Sequence, residues 1–192
     1  MTKAFLLLLI VSLLFVLPGY AETNTDYVLN QLFYATAPVD TDFFSLELDP
    51  DAVFIIQKED DILYFSFYPF YGSGDRDTNF NIQYSGIPGS MMPDGKEALM
   101  ETVKEQLTAG SDEYKISVSS YDLSDFVDDT FQGYPCVTFR LNVIGELRGQ
   151  PLNACEHNII IDSKGLSISI ATRSEETINQ VLELLRQKLV IK

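Results

Sequence analysis

The stretch that decides the fold reads GLSISIATRSEETINQVLELLRQK and covers residues 165–188. Apolar and small polar residues alternate over positions 166–170, which predicts a β-strand. Ser174 can cap the helix that follows, and the two glutamates after it suit the positive end of that helix. Arg186 and Lys188 suit its negative end. The apolar stripe that this helix would bury consists of Ile178, Val181, Leu182, Leu185 and Leu189.

Upstream of this stretch, apolar and aromatic residues with a period of two predict further β-strands. The predicted strands cover residues 43–48, 53–57, 62–68, 79–84, 114–119, 134–143 and 153–161. One internal helix is predicted at about residues 94–109, with Gly110 where a C-terminal cap belongs. This order of strands, helix, strands and helix predicts an α+β fold that is built mainly on an antiparallel sheet.

The first 21 residues have the three-part layout of a cleaved secretory signal peptide. Lys3 precedes an apolar run over residues 4–17, and the small residues Gly19 and Ala21 fit cleavage after Ala21. The run is shorter than the roughly 20 residues of a membrane-spanning helix, and no cysteine stands where a lipoprotein would be modified. We therefore expect a secreted or periplasmic protein without membrane insertion after signal removal. An uncleaved anchor is the alternative.

The remaining chain is expected to contain one domain, at residues 43–192, without an internal linker or repeat. Residues 22–42 form a separate N-terminal segment, in which helical spacing of apolar residues near positions 28–33 allows a short helix. The formal net charge of −15 repels phosphate backbones and anionic lipid surfaces. The charge therefore argues against nucleic-acid and membrane-surface binding and is typical of an acidic, soluble protein.

Two cysteines, Cys136 and Cys155, lie near the starts of consecutive predicted strands. Two cysteines in an exported chain usually pair, so we expect a disulfide, which would contribute about 3 kcal/mol. If the cysteines face each other in an antiparallel pair, the turn falls at residues 144–147 and contains Gly145. The same register places Pro151 opposite Arg140, which only a sheet edge or a bulge tolerates.

Other chemistry could use the same cysteines, because His157, the one histidine, lies two residues after Cys155. A thiol-dependent enzyme that uses Cys155 and His157 is one alternative, since residues i and i+2 of a strand share a face. Glu156 would point to the opposite face and could not orient them. A zinc site would need both cysteines, His157 and an acid, without the short Cys-x-x-Cys turn that usually supplies such ligands. No metal site or cofactor is predicted from these residues.

The second candidate site is the aromatic and acidic segment YPFYGSGDRD, residues 68–77. Aromatic residues that approach a Gly-rich loop beside an arginine would suit recognition of a protein partner or a glycan. The predicted binding surface consists of Tyr68, Phe70, Tyr71, Asp75, Arg76 and Asp77. The spacing of Asp75, Asp77 and Asn79 matches the start of a calcium loop, but the Gly and Glu that such a loop needs are missing. A looser calcium site here, or at residues 121–131, remains an alternative.

Four quoted segments resemble PsbP-like proteins in layout and apolar pattern. They are FFSLELDPDAVFIIQKEDDILYFSFYP, NFNIQYS with the helix GKEALMETVKEQL, FQGYPCVTFRLNV, and GLSISIATRSEETINQVLELL. The resemblance implies the α/β/α sandwich that photosystem II extrinsic proteins, a Ran-binding protein and many bacterial envelope proteins share. It implies action by binding or assembly, without common catalytic residues. We therefore expect an exported, non-catalytic protein-binding or assembly module of the cell envelope.

Overall fold

The computed structural model describes residues 33–59, 62–109 and 116–192. The strands are β1 (Phe33–Tyr34), β2 (Val39–Asp40), β3 (Phe44–Leu46), β4 (Val53–Glu59), β5 (Ile62–Tyr68), β6 (Asn79–Tyr84), β7 (Ile116–Leu123), β8 (Val127–Phe131), β9 (Tyr134–Leu147), β10 (Gln150–Ile161), β11 (Leu166–Thr172) and β12 (Leu189–Ile191). The helices are α1 (Gly95–Ala109) and α2 (Glu175–Lys188). Within the described ranges, no helix is long and apolar enough to cross a membrane.

Nine of the described strands form one large sheet in the order β1-β4-β5-β6-β11-β10-β9, and β7 and β8 both pair with the outer side of β9. The strands β12-β3-β2 form a second, smaller sheet. All of these strand pairs are antiparallel. The predicted α+β class with a mainly antiparallel sheet is therefore confirmed.

The two helices cover opposite faces of the large sheet. Ile160 of β10 packs in the same buried cluster as Val103 of α1. Its neighbours Ile159 and Ile161 pack instead in the cluster that contains Val181 of α2. Because successive side chains of a strand point to opposite faces, the sheet lies between the helices. The structure is thus an α/β/α sandwich, with one face toward α1 and the other toward α2.

Helix α2 begins where the sequence predicts, because the Ser174 hydroxyl accepts a hydrogen bond from the Thr177 N–H at 3.4 Å. The helix ends one residue before the predicted stripe does. Leu189 is still buried, but it begins β12 and pairs with Leu46 of β3. The short helix that was predicted near residues 28–33 lies outside the described residues, apart from Phe33, which belongs to β1.

The predicted disulfide is wrong, because Cys136 and Cys155 are both free. The hairpin between β9 and β10 turns at Arg148 and Gly149, whose φ angles of 52° and 78° suit a two-residue type I′ turn, and not at residues 144–147. Cys155 consequently faces Asn142, six positions along β9 from Cys136. At the strand rise of about 3.3 Å per residue, the cysteines lie about 20 Å apart along the sheet.

Gly145, which the sequence places in that turn, lies inside β9 and is buried. A Cβ at this position would collide with the backbone carbonyl oxygen of Ser117 in β7. The pairing of β7 with β9 is also irregular beside this glycine, between Val118 and Ser120. The glycine thus allows β7 to approach β9 closely. The neighbouring residues in the sequence do not distinguish this role from a role in a turn.

Strand β8 is absent from the sequence prediction, which treats residues 121–131 as an acidic loop. Residues 127–131 instead pair with β9 through a second two-residue turn at Gln132 and Gly133, whose φ angles are 52° and 84°. Phe131 is buried although the rest of β8 is exposed. Asp128 and Asp129 therefore belong to an edge strand, where exposed charge disfavours pairing with other chains.

Candidate functional site

The predicted aromatic surface is divided between the two faces of the sheet. Tyr68 ends β5 as a buried residue on the α1 side, and burial raises the pKa of its phenol. Phe70 is half-buried and packs in the cluster of the α2 side. Tyr71 lies beneath the Arg76 guanidinium, which stands 5.0 Å from the ring centre. Of the residues in the predicted surface, only Tyr71 and Arg76 form the contact between an aromatic ring and an arginine that the sequence predicts for a recognition loop.

The acidic part of this loop is occupied by bonds within the protein. One Asp75 carboxyl oxygen accepts hydrogen bonds from the backbone N–H groups of Asp77 and Thr78, both at 3.0 Å. The other accepts from the Thr78 hydroxyl at 2.6 Å. Asp77 forms an ion pair with Arg173 at 3.2 Å, although burial raises the pKa of the Asp77 carboxyl. These contacts give Asp75 a structural role at the start of β6.

Among the described residues, no group of three or more His, Cys, Asp or Glu side chains is placed to hold a metal ion.

The other feature beside this loop is a groove on the α2 face, which we call the acidic groove. It lies between α2 and the segment that joins β3 to β4, and its volume is about 620 Å³. A backbone hydrogen bond of 3.3 Å from Glu47 to the Lys188 carbonyl joins its two sides. The lining residues are Glu47, Leu48, Asp49, Pro69, Glu176, Asn179, Gln180, Glu183, Leu184, Gln187 and Lys188. Pro69 lies between Tyr68 and Phe70, so the predicted surface adjoins the groove.

The groove combines an apolar part with an acidic rim. Leu48, Pro69 and Leu184 supply apolar contact, and four of the lining residues carry carboxylates. Lys188 is the one basic residue of the lining. Sequence reasoning misses the groove, because residues 47–49 meet α2 only through the pairing of β3 with β12. In the sequence, the exposed acidic residues of α2 are the one feature that indicates the groove.

The thiol and imidazole of the Cys155–His157 pair are poorly suited to nucleophilic catalysis. The two residues share the α2 face, as predicted, since their partners on β11 are Thr172 and Ile170. Burial, with a contribution from the Glu175 carboxylate, raises the pKa of the Cys155 thiol. Burial, helped by Arg140 and Arg186, lowers the pKa of His157 to about 4. The thiol is thus held protonated, and the Nδ1 atom of His157 has no protein hydrogen-bond partner to orient the ring.

Glu156 points to the opposite face, as the sequence predicts, but it lies at the centre of the sheet and is 0% exposed. Burial raises the pKa of its carboxyl to about 8, although a side-chain hydrogen bond with Asn158 opposes the shift. It belongs to a set of buried polar side chains on the α1 face, which we call the polar layer. Its members are Tyr64, Ser66, Tyr68, Asn79, Asn81, Gln83, Glu156, Asn158, Ser167 and Ser169. In the sequence, the polar residues of β6 and β11 alternate with apolar ones. This alternation normally predicts a strand whose polar face is exposed to solvent.

No protein-family model and no curated protein matches the chain. Among solved structures, the chain is similar to a PsbP protein, in agreement with the resemblance seen in the sequence. This structure is the solution structure of cyanobacterial PsbP (CyanoP) from Synechocystis sp. PCC 6803, with 11% identity, a TM-score of 0.42, and coverage of 80% of this chain and 95% of that chain. LpqN of Mycobacterium tuberculosis, described as involved in cell envelope biogenesis, has 11% identity, a TM-score of 0.35, and coverage of 85% and 92%. At these TM-scores, neither likeness bears on function.

Proposed function

We propose that the chain is an exported, non-catalytic module of the cell envelope that binds a protein partner through the acidic groove. The observation that carries this proposal is the pairing of an apolar part with a carboxylate rim in one concave surface. Apolar contact supplies binding free energy, whereas complementary charge mainly speeds association and excludes wrong partners. The groove therefore suits a basic segment of a partner protein that also carries one or two apolar side chains.

The groove is negatively charged, as is the whole chain, whose formal net charge is −15. Four carboxylates against one ammonium group in the lining would repel nucleic acids and anionic lipid headgroups. A cationic protein segment would be attracted at long range and would then bury Leu48 and Leu184. Binding of this kind weakens as salt rises, because exposed charges are screened over about 10 Å at 0.1 M ionic strength.

A non-catalytic role is supported by the Cys155–His157 pair, whose raised thiol pKa and lowered imidazole pKa both oppose formation of a thiolate–imidazolium pair. Export and release from the membrane are supported by the apolar run at residues 4–17 and by the small residues that precede the cleavage position after Ala21. These features support a secreted or periplasmic location as part of the proposal.

The test is capture from envelope extracts with two matched variants. Asp49→Lys combined with Glu183→Lys reverses charge on both sides of the groove. Glu146→Lys with Asp122→Lys reverses the same amount of charge at exposed positions of β9 and β7. We expect the wild type and the second variant to retain the same partner, and the groove variant to lose it. A synthetic peptide of alternating Lys and Leu residues, titrated by fluorescence anisotropy, measures the groove directly.

Two results would count against the proposal. The groove variant could capture the same proteins as the wild type, which would place binding elsewhere on the surface. The Lys–Leu peptide could also bind all three proteins equally, which would show attraction by net charge alone. A version of the peptide with Glu in place of Lys is the charge control and is expected not to bind.

A further inference from the structure

Two basic side chains face each other on the α2 face of the sheet. Arg140 of β9 lies directly opposite His157 of β10 in the antiparallel pair of these strands. The Cβ atoms of residues opposed in this way are about 4.5–5.5 Å apart. Arg140 is exposed and His157 is half-buried, because α2 packs mainly over β11 and β10 and leaves this part of β9 open to solvent.

The main chain of Arg140 is held in place by Ser124, which lies between β7 and β8. The Arg140 N–H donates to the Ser124 hydroxyl at 2.8 Å, and the Arg140 carbonyl oxygen accepts from the Ser124 N–H at 3.0 Å. Strand β7 pairs with β9 from Leu141 onward and β8 pairs with it as far as Thr138, so these two bonds bridge the gap between the outer strands. Arg140 therefore projects from a fixed point of the sheet.

A second arginine reaches the same place from α2. Arg186 lies in the last turn of this helix, and its charge acts on His157 together with that of Arg140. The side-chain amide of Gln132, in the turn between β8 and β9, donates to the carbonyl oxygen of Leu185 at 3.2 Å and so holds this end of the helix. The Arg186 side chain is 60% exposed. Three separate elements thus bring two solvent-accessible guanidinium groups next to one imidazole.

The protein compensates these charges poorly. Within the described ranges, Arg140 forms no ion pair, and Arg186 pairs only with Glu183, at 4.0 Å. Asp129 of β8 is the nearby carboxylate, but one of its oxygens already accepts from the next backbone N–H at 2.7 Å. Arginines that lie together are unexpected in a chain with 28 acidic and 13 basic residues, since like charges repel and carboxylates are abundant. Their arrangement suits an anion from outside the protein.

His157 is placed to respond to such an anion. The charged or titratable groups around it are Arg140 of β9, Arg186 of α2, Asp129 of β8 and Cys155 of its own strand, whereas its β11 partner, Ile170, is apolar. Burial, followed by the two arginines, lowers the pKa of His157 to about 4, and Asp129 opposes this shift. Burial also raises the pKa of the Cys155 thiol, which is therefore uncharged near neutral pH. An anion beside the arginines would offset their effect and raise the pKa of the imidazole.

We propose that Arg140, His157 and Arg186 form a surface site for the phosphate group of a small molecule. Each planar guanidinium group can donate two parallel hydrogen bonds to phosphate oxygens. Such a site needs neither a cavity nor a movement of the backbone, because both arginines are already exposed. None of the three residues lines the acidic groove, so the site does not rest on the proposed protein partner.

The net charge of the chain favours a small ligand over a polyanion. A charge of −15 repels a nucleic-acid backbone or an anionic membrane along its whole length, whereas one phosphate group approaches only the arginines. Exposed charges more than about 8 Å away are largely screened at physiological ionic strength. We therefore expect binding of free phosphate compounds and no binding of anionic lipid vesicles.

The single histidine makes the test direct, because its Cε1–H proton gives the one histidine signal of the NMR spectrum. The probes are inorganic phosphate and glycerol 3-phosphate, with sodium chloride at equal ionic strength as the control. At about pH 5.5 the imidazole of the free protein is neutral, since its pKa is about 4. We expect either phosphate to move the signal toward that of the protonated ring, with a dissociation constant in the millimolar range.

Matched variants assign the shift to the site. Arg140→Gln removes one guanidinium group and should weaken phosphate binding about tenfold. Lys104→Gln removes one positive charge from α1, on the opposite face of the sheet, and should bind phosphate as the wild type does. Arg140→Lys keeps the charge without the planar fork and should fall between Arg140→Gln and the wild type. Arg140→Gln should still capture the protein partner, so the two proposals fail independently.

The role of His157 has its own measurement. Sulfate keeps the same charge between about pH 5.5 and pH 7.5 and serves as a tetrahedral dianion in calorimetric titrations. We expect the wild type to bind sulfate about twofold more tightly at the lower pH, because the bound anion favours protonation of His157. His157→Gln should bind as the wild type does at the higher pH and lose this pH dependence.

Three results would overturn the proposal. Phosphate at about 20 mM could leave the His157 signal where chloride leaves it, which would show that no anion binds there. Arg140→Gln could bind phosphate as tightly as the wild type, which would place the anion elsewhere. The protein could also sediment with vesicles of phosphatidylglycerol and phosphatidylcholine, which would make a lipid surface the partner instead of a small molecule.

Discussion

Replacing Glu156 with Gln should change the pH dependence of stability more than any other single substitution that we consider. The carboxyl is fully buried, and burial raises its pKa from 4.5 to about 8. The folded chain therefore holds this proton more tightly than the unfolded chain does. Its stabilising effect is complete below pH 4.5 and is lost as the pH rises through about 8. Gln has the same shape but no titratable proton, so the variant should not show this loss of stability as the pH rises.

The size of the effect follows from the two pKa values. One pKa unit corresponds to about 1.4 kcal/mol, so the change from 4.5 to about 8 amounts to about 5 kcal/mol. Most of this loss, about 3 kcal/mol, has occurred by pH 7, because only the unfolded chain ionises in that range. A total of about 5 kcal/mol is a third or more of the stability of a typical domain.

Urea unfolding at several pH values between 5 and 9 measures this effect, with ellipticity as the readout and the wild type beside Glu156→Gln. We expect similar stabilities at pH 5 and a variant that is more stable by several kcal/mol at pH 9. Glu146→Gln removes the same charge from an exposed position and is expected to follow the wild type. A stability difference that stays constant from pH 5 to pH 9 would refute the reasoning.

Three further predictions concern positions outside the polar layer. Gly165→Ala should destabilise the protein by more than 2 kcal/mol, since a Cβ there would stand 2.6 Å from a backbone oxygen of the loop after β6. A Cβ added at Gly149 would contact no atom within 4 Å, so Gly149→Ala should cost only the backbone penalty of about 1–2 kcal/mol. Equal losses of stability in the two variants would contradict a collision at Gly165. Cys136 and Cys155 should both react with a thiol reagent after unfolding without reductant, and a mass gain of two hydrogens on reduction would show a disulfide. Ser174→Ala should lower stability by about 1 kcal/mol in thermal unfolding, and no change would remove the capping role.

The sequence predicts strands and helices well where local chemistry determines them. Residues 79–84 and 62–68 alternate or cluster apolar side chains and form the strands that were predicted. Ser174 begins α2 because its hydroxyl meets an N–H only three residues away. Such signals act over a few residues, so a single sequence contains them in full.

Register and burial are harder to predict, because they depend on partners that are distant in the chain. Gly145 and Gly149 both look like turn residues, and only the pairing of β7 with β9 separates their roles. The predicted turn at residues 144–147 placed Cys155 opposite Cys136 and so favoured the wrong disulfide, whereas the observed turn pairs Cys155 with Asn142. Asn79 and Asn81 alternate with apolar residues, a pattern that normally marks a face exposed to water. Their burial is a property of the assembled sandwich.

The small sheet has a consequence for the order in which the protein matures. Strand β3 pairs with β12, which follows it by nearly the whole length of the described chain. Closing so long a loop is entropically costly, so this pairing is expected to form after the local hairpins of the large sheet. Since residues 47–49 reach α2 through the same pairing, the acidic groove is assembled in that last step. Under the proposed function, the chain would thus acquire its binding surface only when folding is complete, and an incompletely folded chain would not bind a partner through the groove.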